Sequence, residues 1–81
     1  MKIQGKNEVR NIMNNNEMAR LVEIADLYNA TLMFDGIKKA VIGYSKPGEG
    51  SAISTLIEEA YPAVRIKMLP TDQKLEVEVL E

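Results

Sequence analysis

The chain predicts an α+β domain, an open-faced sandwich in which a mostly antiparallel four-stranded sheet carries its helices on one face. Three observations predict it. Two stretches place apolar residues at helical spacing, and each is followed by a pair of short segments suited to strands. Turn signals at Asp35-Gly36 and from Pro70 to Gln73 separate the members of each pair. With 81 residues, 46% of them apolar and 27% charged, the chain is sized for one domain over 1–81 and is too apolar to be disordered.

The elements follow in order. Met1 to Asn7 is polar apart from Met1 and Ile3, and suits a short edge strand or a loose terminus. Val9, Ile12 and Met13 form a brief apolar cluster, ended by Asn14, Asn15 and Asn16. Asparagine side chains compete with the backbone for hydrogen bonds, so the triplet fits a loop or a helix N-cap.

From Glu17, the residues Met18, Leu21, Val22, Ala25 and Tyr28 recur at helical spacing while Arg20, Glu23 and Asp26 fall largely opposite. This is an amphipathic helix capped by Asn14 or Asn16, with Asn29 as its stop. Ala30 to Phe34 and Ile37 to Tyr44 then read as a hairpin around a type I′ turn at Asp35-Gly36. Leu32, Phe34 and Val41 share its core face if the chain is irregular at Lys38 and Lys39.

Ser45 to Gly50 is a turn-rich loop into a second helix, with Ser51 as N-cap and Ala52, Ile53, Leu56, Ile57 and Ala60 as the apolar stripe. Tyr61-Pro62 ends it, because the residue before proline is pushed towards extended geometry. Val64, Ile66 and Met68 alternate with Arg65 and Lys67; Leu75, Val77 and Val79 alternate with Lys74, Glu76 and Glu78. Each strand has one dry and one wet face, and opposite charges on the wet faces can pair across the hairpin.

Function is constrained first by what the composition lacks. There is no histidine and no cysteine. Zinc sites with nitrogen or sulfur ligands, thiol chemistry and phosphohistidine relays are therefore excluded within this chain. A net charge of -2 supplies no clustered cation for nucleic acid or anionic lipid. No apolar run nears membrane-spanning length, and no leader pattern precedes the domain, so a cytoplasmic protein is expected, with neither nucleic acid nor membrane as partner.

The segment Leu21 to Gly36, Leu-Val-Glu-Ile-Ala-Asp-Leu-Tyr-Asn-Ala-Thr-Leu-Met-Phe-Asp-Gly, resembles the first helix and following hairpin of HPr, the histidine phosphocarrier of the bacterial sugar phosphotransferase system. Leu21, Val22, Ala25, Tyr28, Ala30, Leu32, Phe34 and Gly36 stand where that family carries similar residues, and the overlap runs from about Asn14 to Ser45. The resemblance implies an HPr-like fold order of strand, helix, strand, strand, helix, strand. The family's phosphoryl-accepting loop, His-x-Arg-Pro-Ala, falls on Asn14, Asn15, Asn16, Glu17 and Met18, where none of its defining residues is present. Ser45 falls near the family's regulatory serine. HPr ends in a helix, whereas Leu75 to Leu80 reads as a strand.

Lys46 to Ser51 opens a helix but matches no phosphate-loop pattern, and Glu49 would repel an anion. Glu58 and Glu59 are helix neighbours that point apart, and Glu76, Glu78 and Glu81 are read as a solvated face, so neither group is read as a metal site. Lys38, Lys39, Arg65 and Lys67 are read as ordinary surface charge. Met13 and Met18 fill the core or give the loop between them an adaptable contact surface.

The expectation is a non-catalytic, HPr-like binding or adaptor module with no cofactor and no metal. Its protein partner would dock on Asn14, Asn15, Asn16, Glu17, Met18 and Leu21 together with Ser45 and Ser51. The alternatives are a regulatory protein phosphorylated on Ser45 or Ser51, and a self-associating homo-oligomer if the last strand lies at a sheet edge, where it would expose ladder groups despite its glutamates.

Overall fold

The computed structural model describes residues 13–80. The short strand expected in Met1 to Asn7 lies outside them, as do Val9, Ile12 and Glu81. Helix α1 (Asn15–Leu27) leads into β1 (Thr31–Phe34) and β2 (Lys39–Gly43); α2 (Glu49–Ala60) leads into β3 (Val64–Leu69), a 3-10 turn (Pro70–Asp72) and β4 (Lys74–Val79). The four strands form one antiparallel sheet in the order β1-β2-β4-β3.

Both ends of α1 are closed locally. Asn14 is the N-cap: its Oδ1 accepts the Glu17 amide at 2.8 Å while Glu17 Oε1 accepts the Asn14 amide at 3.0 Å, a reciprocal capping box. At the other end Asn29 turns left-handed (φ 54), and the Ala30 and Asn29 amides bond back to the carbonyls of Ala25 and Asp26. That double bond is a Schellman stop, which asparagine tolerates better than most residues with a side chain.

Two expectations about local structure need correction. The first hairpin does not turn in two residues at Asp35-Gly36. The Asp35 amide bonds the Lys39 carbonyl at 2.9 Å, and Gly36 (φ 71) and Lys38 (φ 58) both turn left-handed, so residues 35–38 make the connection. The longer loop resets the register: Leu32 faces Ile42 and Phe34 faces Ala40, while Val41 stands opposite Met33 on the other face. Val41 is thus not part of the core face. Helix α2 starts at Glu49 rather than after Ser51; Gly48 is its N-cap, and Glu49 Oε1 reaches back to the Lys46 amide at 3.3 Å. Ser51 already lies in the first turn of the helix, where its carbonyl accepts the Thr55 hydroxyl.

One face of the sheet is dry. Ala40, Ile42, Leu75, Val77 and Val79 lie against Leu21 and Ile24 of α1 and Ile53 and Ile57 of α2, with Met13, Tyr44 and Tyr61 completing the buried cluster. The alternation read in β4 holds, because strand side chains change sides at every residue; in β3 it holds for half-buried Val64 and Ile66 between exposed Arg65 and Lys67, but Met68, expected on the dry face, is exposed. Burial of these apolar side chains is the main stabilising term, at roughly 1.5–3 kcal/mol for each large one. Among the described residues no helix is long and apolar enough to cross a membrane.

Candidate functional site

The sequence-predicted site residues do not form one surface. Around the start of α1, Asn14, Asn15 and Asn16 are exposed, Glu17 and Met18 are half-buried, and Leu21 is fully buried in the core. Leu21 is therefore a packing residue. Met13 is buried too, and Met18 packs against the core, so this methionine pair fills space rather than offering a contact surface.

Glu17 is the junction of this end of the molecule. Besides the capping box, its Oε1 pairs with Lys38 Nζ at 3.3 Å, with side chains only 17% and 21% exposed. Its carbonyl accepts the Tyr61 hydroxyl, which ties α1 to the end of α2. Burial of Tyr61, reinforced by the nearby Glu17 charge, pushes the phenol up to about 12. Glu17 and Tyr61 are thus engaged in holding the fold.

Ser45 and Ser51 are exposed, but at the opposite end. Lys38, just before β2, reaches Glu17, whereas Tyr44, just after β2, packs so closely on Gly50 that a Cβ there would stand 2.5 Å from its hydroxyl oxygen. Six strand steps from Lys38 to Tyr44 span about 20 Å. Along α2, the eleven steps from Gly50 to Tyr61 span roughly 16 Å. The two loop segments expected to act together are therefore about one domain length apart.

The face of the sheet opposite the helices is wet and holds a shallow open depression of about 420 Å³. Charges of opposite sign alternate across it: Arg65 stands opposite Glu78, which stands opposite Lys39, and Lys67 stands opposite Glu76. Arg65 and Glu78 form an ion pair at 3.3 Å. With Asp35 also on the rim, three cations meet three carboxylates, so the depression has no net preference for either sign. Among the described residues no three or more metal-ligating side chains converge, and no buried side-chain polar atom lacks a partner.

The edges of the sheet differ more sharply. Ladder bonds alternate along an antiparallel pair. Asp35 bonding Lys39 therefore aims the backbone of Met33 and Thr31 inward at β2, and leaves the N–H and C=O of Leu32 and Phe34 facing out. Bonds from Tyr44 to Gln73 and from Val79 to Lys38 fix the β2–β4 ladder in the complementary phase. The last strand, β4, is paired on both sides, so the edge position that self-association through it requires is not present. At the β3 edge, Arg65 and Lys67 project from the strand. The β1 edge, Thr31–Phe34, carries no charge, and Met33 and Phe34 remain 65% and 41% exposed.

Sequence reasoning had no means of selecting β1: an uncharged run of four residues is commonplace, and only the strand order puts it at a rim. Comparison with known proteins gives no match, whether to a family model, a curated protein or a solved structure.

Proposed function

We propose that this domain is a non-catalytic binding module that engages a protein partner by accepting an extended segment on the outer edge of β1. The observation that supports it most is the uncharged edge itself: Leu32 and Phe34 offer two outward N–H and C=O pairs, flanked by the exposed side chains of Met33 and Phe34. Folds usually blunt such edges with charge, proline or a covering element, so one that shows none of these among the described residues suits strand addition. The composition agrees, since neither imidazole nor thiolate is present to carry a reaction.

A remote kinship with HPr belongs to the same reading. The run α1, β1, β2, α2, β3 supports it, whereas β4 occupies the place of a final helix. In this reading the chain keeps a scaffold without the phosphoryl acceptor, and Asn14 serves as a helix cap. The phosphotransferase-system kinase should therefore transfer no phosphoryl group to an Asn14→His variant.

Selection from a displayed library of random peptides tests the binding reading. Selected peptides should slow exchange of the Leu32 and Phe34 amides and lose affinity at least about tenfold for a Met33→Lys variant. Peptides that map instead to residues 14–18 or 45–51, or measured turnover of any substrate, would remove it.

A further inference from the structure

We infer that the segment this edge accepts is β1 of a second copy, paired antiparallel about a two-fold axis at Met33 to join the four described strands of each copy into one continuous sheet. The inference rests on β1 being the binding edge, and it follows from the phase of the ladder. Residues directly opposite in an antiparallel pair must share a face, so a two-fold axis has to pass through a residue rather than between two.

Centring on Met33 sets Leu32 opposite the partner's Phe34, and Phe34 opposite the partner's Leu32. These are the two residues whose backbone groups face outward, so four N–H···O=C bonds form and all the outward groups of β1 are used. Centring on Leu32 instead brings Phe34 to the partner's Ala30, whose N–H is already bonded to the Ala25 carbonyl at 2.9 Å.

Side chains favour the same register. On the helix-covered side Leu32 and Phe34 meet twice across the axis and extend the apolar layer from one protomer into the next. On the wet side two Met33 side chains meet, with Thr31 opposite the partner's Asp35, and no like charges are apposed along the strand. The β3 edge behaves oppositely. Centring it on Arg65, Ile66 or Lys67 places a cation against a cation, which destabilises cross-strand pairs. Among the described residues one edge is uncharged and the other carries cations, which gives a closed dimer rather than a fibre. A contact built on one strand of 4 residues from each copy falls short of standard interfaces of about 1,600 Å², so the dimer is expected to be weak.

Absence of native cysteine permits a direct reading of the register. Under mild oxidation Met33→Cys should crosslink nearly completely at high concentration, whereas Leu32→Cys and Asp35→Cys should not. Met33→Lys and Met33→Glu should each sediment as monomers, and their equimolar mixture should restore a heterodimer. In the unmodified chain, exchange at the Leu32 and Phe34 amides should slow at least about tenfold between about 10 µM and 1 mM, with Met33 unchanged.

Preferential crosslinking at Leu32→Cys, a strict monomer at about 1 mM, or protection of those amides that ignores concentration would overturn the dimer. If selected peptides still bound β1 in that case, the edge reading would survive and only the identity of its occupant would fall.

Discussion

Replacing Glu17 tests whether one side chain joins the start of α1 to the hairpin. Glu17→Ala removes two interactions and leaves two. It loses the reciprocal bond to the Asn14 amide at 3.0 Å and the ion pair with Lys38 at 3.3 Å; it keeps the amide bond to Asn14 Oδ1 and the carbonyl that accepts Tyr61. Losing half of a capping box costs about 0.5–1 kcal/mol. An exposed ion pair would add only about 0.2–1 kcal/mol, but this one is about four-fifths buried, which moves it towards the cost of breaking an interior pair and suggests about 1–2 kcal/mol.

The expected loss for Glu17→Ala is therefore about 2 kcal/mol, or roughly 8–16 °C in Tm for a domain of this size. Glu17→Gln retains an acceptor for the Asn14 amide and loses only the charge, so it should cost about half as much. Urea unfolding gives both values, with an unchanged m-value as the control. A double-mutant cycle with Lys38→Met should return a coupling of about 1 kcal/mol that persists in high salt. A loss below about 0.5 kcal/mol for Glu17→Ala, or equal losses for the two variants, would refute this account of the junction.

Three further outcomes are expected. Leu21→Ala should cost about 2–5 kcal/mol in urea or thermal unfolding because the side chain is fully buried, whereas Asn15→Ala should stay within about 0.5 kcal/mol; similar small values for both would return Leu21 to the surface. Tyr61 has a phenol raised in the folded state, so its stabilising contribution is complete below pH 10 and is lost as pH rises from 10 to about 12. Stability followed across that window should fall more steeply for the unmodified chain than for Tyr61→Phe. Gly50→Ala would gain about 1 kcal/mol on helix propensity alone, but its Cβ would stand 2.5 Å from Tyr44 Oη and 2.7 Å from Cζ of that buried ring, so a net loss of about 1–2 kcal/mol is expected. Tyr44→Phe in the same chain should recover part of it, and a net gain in the single variant would show that the ring moves freely.

The sequence by itself determined the local elements. Apolar spacing from Met18 to Tyr28 and from Ala52 to Ala60 marked both helices, the asparagine triplet and Asn29 bounded the first with the cap left between Asn14 and Asn16, and alternation from Val64 to Val79 with its turn at Pro70 to Gln73 marked the second hairpin. Those signals are short-ranged, set by capping chemistry and by which side of an element is dry. Only the tertiary structure decided which strands are neighbours. It put β4 between β2 and β3, left β1 at a rim, shifted Val41 off the core face, and set Asn14 and Ser51 at opposite ends. Periodicity cannot carry that information, because a strand buries the same face whichever neighbour completes its ladder. The choice of neighbour comes from contacts far apart in the chain, such as the Tyr61 hydroxyl on the Glu17 carbonyl and the Val79 amide on Lys38.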